Sequence, residues 1–203
     1  MKKIMFNEKY GLTKAVLEGR KTMTRRIVVL PKGVNPDEIK TVFENSKKGY
    51  FQLFKSSIPD SDYFKIKSSY NIGEKVAIAQ SYNSLNKMGF VAPEWCEHSC
   101  EDSAGYNNKM FVRADLMPYR IKITGMHLER LQDITEQECI YEGIRIKKGN
   151  LNGQVQFGEY TFDGWDDYSF DARVAFASLI EKVSGKGTWK RNPWVVAYKF
   201  ELI

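Results

Sequence analysis

Cysteine is scarce in this chain: three residues among 203, an odd number, with no secretory context to pair them. That argues against a disulfide framework and for a reducing cytoplasm. Long apolar runs are missing as well, and no stretch approaches the length needed to cross a bilayer. Met1-Lys2-Lys3 is followed only by Ile4-Met5-Phe6, too short for the apolar region of a signal peptide. No membrane role is expected. Neither internal repeats nor low-complexity tracts occur, which argues against repeat architectures. A structural metal is not expected either. Cys96-Glu97-His98-Ser99-Cys100 carries ligand-type side chains, but there is no second cysteine pair to complete four ligands, and Cys139 falls in an expected helix. No cofactor is implied.

What is present suits one globular domain spanning 1–203. Hydrophobic residues make up 42% of the chain, enough for a sizeable core. Lys and Arg outnumber Asp and Glu by 31 to 25, which fits a polyanionic partner or simply a basic soluble protein. The excess is uneven: residues 1–60 hold thirteen Lys or Arg against six Asp or Glu. Its densest part is Arg20, Lys21, Arg25 and Arg26, with Lys14 just before.

Ala15, Val16 and Leu17 predict a first helix that Gly19 stops, and an extended stretch, Thr22 to Leu30, then runs to Pro31. Residues 31–69 read as an irregular insertion, with a short helix near Asp37–Glu44 and a strand or two around Tyr50–Phe54. Lys75–Tyr82 reads as a buried strand after the Gly73-Glu74 turn, and about 83–105 as a second irregular insertion within a polar loop reaching 110. Arg120–Thr124 alternates as a half-buried strand, and Met126–Leu131 continues it past Gly125. Thr135-Glu136-Gln137-Glu138 is a capping box opening a short helix that Gly143 ends. Asp171–Val183 is the clearest helix, its stripe running through Ala172, Ala175, Phe176, Leu179, Ile180 and Val183. Trp194–Ile203 closes the chain as a strand. Short strands with long connections predict an α+β fold: a small mixed β-barrel with two or three flanking helices and long insertions.

The most informative run is Gly19-Arg20-Lys21-Thr22-Met23-Thr24-Arg25-Arg26. A helix end and a glycine hinge lead into basic and hydroxyl side chains that can meet an anion or a base edge. In an extended chain Thr22, Thr24 and Arg26 share one face, and Lys21 and Arg25 the other. Lys21 and Thr24 therefore meet at one ligand only if the backbone turns at the start of the strand.

Gly19, Lys21, Thr24 and Arg26 resemble the Gly-x-Lys-x-x-Thr-x-Arg signature of ASCH domains. Gly73-Glu74-Lys75-Val76 looks like a second landmark. Glu129-Arg130-Leu131-Gln132-Asp133-Ile134 with Glu142-Gly143-Ile144, and Gly185-Lys186-Gly187-Thr188-Trp189 with Asn192-Pro193-Trp194, are similar to a phage- and bacterium-borne ASCH-like group. The resemblance implies a PUA-like barrel that binds RNA, single-stranded nucleic acid or a modified nucleotide in a cleft. It also implies a second possibility, a hydrolase on the same cleft: a ribonuclease, or an amidohydrolase of N4-acylated cytidine with Lys21 as nucleophile or base and Thr24 assisting. Such hydrolases pair the motif Lys and Thr with a Glu on a later strand. Here Lys122 aligns with that Glu, and Ala79-Gln80 stands where many relatives carry Arg-Glu. Both departures remove a carboxylate from the expected acid–base set.

The ligand-binding candidates are thus Lys21, Thr22, Thr24, Arg25, Arg26, Gln80, Tyr82, Asn108, Lys109 and Lys122. Gln80 is expected to read a base edge and Tyr82 to stack, or both to sit at a strand end facing water. Two lysines near one site, Lys21 and Lys122, would depress each other's pKa unless an anion sat between them. Glu129, Arg130, Gln132 and Asp133 read as structural hydrogen-bonding residues, and Trp189 and Trp194 as core.

Overall fold

An alternating segment near the middle of the chain and a largely apolar one at its end pair along nearly their whole length and form the spine of the fold. The computed structural model describes residues 1–58, 63–90, 101–151, 154–158 and 168–203. The spine consists of β7 (Arg120–Arg130) and β11 (Trp194–Leu202), antiparallel to each other. Ile121 and Ile123 of β7 are buried, and so are Met126 and Leu128. The alternation slips by one residue across Thr124-Gly125. Pairing slips at the same place: Lys199 faces Gly125, but Phe200 faces Ile123. An extra residue at that point is a β-bulge, which keeps both apolar pairs on one side of a single continuous strand.

β6 (Lys75–Ile78) pairs with β7, and β1 (Lys3–Ile4) runs parallel to β6. β2 (Met23–Ile27) pairs with the far side of β11. The strand order is β1-β6-β7-β11-β2, a five-stranded sheet in an α+β fold. The expected barrel is not closed among the described residues: β1 and β2 are both edges, with no ladder joining them.

The expected irregular insertion at 31–69 is largely a second sheet. β3 (Thr41–Asn45), β4 (Tyr50–Phe54) and β5 (Tyr63–Lys67) form an antiparallel three-stranded unit. The helix foreseen near Asp37–Glu44 is only a 3-10 turn at Pro36–Glu38, followed by strand. Phe51 and Leu53 are fully buried in the main core, and the Glu44 carboxylate accepts from the Leu128 amide at 2.7 Å. Apolar alternation in β4 wins over the surrounding glycines and prolines because that face has a core to enter.

The strand foreseen at Lys75–Tyr82 is cut short. The Ser81 hydroxyl accepts from the Ser84 amide, and Tyr82 opens helix α2 (Tyr82–Lys87). A local cap competes with the strand at that point. Helix α1 (Leu12–Leu17) precedes β2, and α3 (Glu136–Tyr141) carries the expected capping box on Thr135 and Glu138. A third sheet comprises β8 (Arg145–Leu151), β9 (Gln154–Gly158) and β10 (Tyr168–Ser169).

Helix α4 (Ala172–Ser184) buries Ala172, Ala175, Phe176, Leu179 and Ile180. Each large side chain of that stripe contributes about 1.5–3 kcal/mol. Val183, expected on the same stripe, is 37% exposed. The short helix α5 (Thr188–Arg191) leads into β11. Trp189 and Trp194 pack against the core. Gln132 is structural as expected, with its amide and side chain bonded to Asn192 and Trp189. Among the described residues, no helix is long and apolar enough to cross a membrane.

Candidate functional site

The two edges of the large sheet stand on either side of a cavity of about 250 Å³. Met5, Phe6 and Asn7, continuing from β1, form one wall, and Thr24–Ile27 of β2 the other. Phe176, Leu179 and Ile180 of α4 add apolar surface. The guanidinium of Arg26 bridges the gap by donating to the Met5 carbonyl at 2.6 Å. Because β2 is an edge strand, side chains of both parities reach the cavity, so Thr24 and Arg25 line it together.

Lys21 reaches the same cavity because the backbone turns before the strand begins. Gly19 ends α1 with φ +71°, and the amides of Arg20 and Lys21 both donate to the Ala15 carbonyl. Thr22 then bonds through its amide to Tyr141 and through its carbonyl to Phe200. The turn required by strand parity is therefore present. Lys21, Thr24, Arg25 and Arg26 come together, while Thr22 anchors the turn and does not line the cavity.

Lys21 is not the exposed cation its motif suggests. Its side chain is 2% exposed, and its ammonium donates to Glu142 twice: to the carboxylate at 2.6 Å and to the carbonyl at 2.7 Å. Burial pushes its pKa down, more than the neighbouring Glu142 carboxylate restores it. Arg25 is also buried, and its guanidinium meets Glu129 at 2.6 Å, Glu138 at 2.9 Å and Glu142 at 3.2 Å. Burial opposes its charge, but those carboxylates reverse the effect and hold its pKa above the ordinary value. His127 completes the cluster with its Nε2 3.0 Å from the second oxygen of Glu129. Two cations thus face three carboxylates, and the cluster has no positive charge to spare. Arg26 differs. It makes no ion pair among the described residues, lies 5.8 Å from the Phe6 ring centroid, and has a buried Nε without a partner.

The remaining candidates lie elsewhere. Gln80 is buried beside Met88 and Met117, with its side-chain oxygen unpartnered, and does not line the cavity. Tyr82 packs its ring over Gly105 and accepts from the Arg113 amide, so its face is not open for stacking. Lys122 points to Glu201 at 3.1 Å and stands opposite Lys75 in the sheet. The expected Lys21–Lys122 repulsion therefore has no geometric basis. Asn108 and Lys109 line an adjoining hollow. Asn108 caps a turn, and Lys109 is bonded to the Phe6 carbonyl and to Glu8. Cys96 and Cys100 lie outside the described residues.

Sequence reasoning missed Phe6, Glu138, Glu142 and His127 as parts of this site. Glu142 had a signal: it precedes Gly143, whose φ of +103° lets the chain leave α3 beside Lys21. Glu138 was hidden by its role as a helix cap, which it keeps while also binding Arg25. Chemically, the cavity offers an amine of lowered pKa, a carboxylate in contact with it, a neighbouring hydroxyl, one unneutralised guanidinium and an apolar floor. No family model, curated protein or solved structure matches the chain.

Proposed function

We propose that this chain is an ASCH/PUA-like domain that binds RNA or a nucleotide, taking one base or nucleoside into the cavity between the edges of β1 and β2. In this reading the large sheet is a PUA-like barrel with its seam left open as the binding cleft, and the chain works in the reducing cytoplasm. The observation that carries the reading is the cavity itself. Thr24 and Arg26 can hydrogen-bond a base edge while Phe6 and the α4 floor cover its apolar face. At about 250 Å³ it suits a small planar group better than a folded RNA surface. Purified protein should shift a labelled single-stranded RNA without cleaving it, and Arg26→Ala should weaken that shift. Indifference of the shift to Arg26 would sink the reading.

A second reading, a hydrolase of RNA or of acylated cytidine, is favoured by the 2.6 Å contact between Lys21 and Glu142 with Thr24 on the same cavity. Glu142 supplies the carboxylate that Gln80 and Lys122 lack. Lys21 would act as base or nucleophile, Glu142 would hold its proton, and Thr24 would orient the substrate. Release of acetate from N4-acetylcytidine, or of shorter RNA products, lost in Lys21→Met would support it.

A further inference from the structure

We propose that the phosphate backbone of the ligand is held not at Lys21 but in a second hollow beside the cavity, by Arg26, Lys65 and Lys67. The natural ligand is then a single strand of nucleic acid rather than a free nucleoside. This rests on the nucleotide-binding reading above and names its ligand class.

The argument begins with charge. Lys21 and Arg25 are taken up by Glu129, Glu138 and Glu142. An anion entering there would meet carboxylates as well as cations, so the cavity by itself is a poor phosphate site. The neighbouring hollow, about 530 Å³, has the opposite character. Arg26, Lys65 and Lys67 line it, and no Asp or Glu does among the described residues. Lys65 and Lys67 are exposed and make no ion pair among the described residues. The Lys65 ammonium lies 4.0 Å over the Tyr50 ring, a contact that leaves its charge unneutralised.

Position is the second strand of the argument. Lys65 and Lys67 alternate on β5, the outer strand of its sheet, so they project on the same side about 7 Å apart. Each can take a separate phosphate. Arg26 and Ile27 line both this hollow and the cavity, so the two adjoin through one guanidinium. On the other side, Met5, Phe6, Asn7 and Val183 are shared with a third hollow of about 440 Å³, which carries the amides of Asn107 and Asn108. The cavity therefore lies in the middle of a run, with cations on one flank and, on the other, the Asn107 and Asn108 amides beside the Lys109–Glu8 pair. A free nucleoside would use only the middle. A strand uses all three, as single-strand sites do when a basic track runs beside base pockets.

The test is Lys65→Ala/Lys67→Ala in the full chain. Both residues are exposed, so the fold should persist, checked by circular dichroism. The probes are a fluorescein-labelled single-stranded RNA of about eight nucleotides, the DNA strand of the same sequence, and free cytidine. The variant should lose at least about tenfold in affinity for the strand, and its log–log salt slope should become shallower by about 1.4. Cytidine binding should not change, and RNA and DNA should lose alike, because the contacts are to phosphate. Unchanged strand affinity and slope would overturn the proposal, as would a loss confined to RNA. Wild-type protein that binds cytidine but no strand would overturn it together with the RNA half of the reading above, and would leave nucleoside binding in the cavity standing. Wild-type protein that binds neither would overturn both.

Discussion

The ammonium of Lys21 lies 2.6 Å from the carboxylate of Glu142, and both side chains are shut away from water although 121 positions separate them in the chain. This pair, with Arg25 on the other oxygen of the same carboxylate, joins the start of β2 to the end of α3. It turns the basic motif into a neutralised core element.

Glu142→Ala removes one partner from two buried cations at once. Leaving buried charges unpaired costs about 3–5 kcal/mol. Lys21→Met leaves Glu142 still paired with Arg25 and substitutes a side chain that packs, so its loss should be smaller. Urea unfolding of the two variants tests the order, and a Lys21→Met loss as large as that of Glu142→Ala would contradict it.

His127 makes stability depend on pH. Its hydrogen bond to Glu129 raises its pKa, with Glu138 adding to the effect, while burial and Arg25 oppose it. A histidine with a raised folded pKa contributes stability that is fully present below its ordinary value near 6.5 and is lost as pH rises through the folded value. Denaturant midpoints should therefore decline across that window, and His127→Asn should flatten the decline. NMR titration in a His98→Gln background follows the one remaining imidazole, which should titrate above 6.5. A titration at or below that value would refute the assignment.

Cys139 should be inert while the protein is folded. It is fully buried in α3, and burial pushes its thiol up to about 12. With Cys96 and Cys100 replaced by Ser, native protein should show no reaction with a disulfide reagent at neutral pH, followed by one equivalent on unfolding. Rapid labelling in native buffer would show that the thiol is accessible.

Gly143→Ala should destabilise the fold by about 1–3 kcal/mol. The position has φ +103°, and the added methyl would stand in ordinary contact with Leu12, Ala15 and Lys21. Backbone strain, not collision, is thus the cause. Thermal melting measures the loss, and an unchanged melting temperature would remove this role for the glycine.

Local chemistry was legible in the sequence. The Thr135–Glu138 cap and the glycine end of α1 depend on neighbours a few residues away, and the apolar stripe of α4 shows at helical spacing in the sequence itself. The alternation expected of the last strand did not hold, because β11 lies inside the sheet and buries four residues in succession, Val195 to Tyr198. The meeting of Lys21, Thr24 and Arg26 at one cavity was also expected, on the condition that the backbone turned before the strand, and the turn is there. Whether Lys21 would be exposed or paired was not legible. Its partner lies on α3, and only the packing of α3 against the start of β2 brings that carboxylate to 2.6 Å. The same is true of Gln80 and Lys122, whose apparent place in one cleft came from alignment along the chain. The sheet sends Gln80 to Met88 and Lys122 to Glu201. Periodicity and turn residues reveal which faces are apolar. The partner of a charged side chain depends on which strands become neighbours, and the crossovers of the tertiary structure decide that.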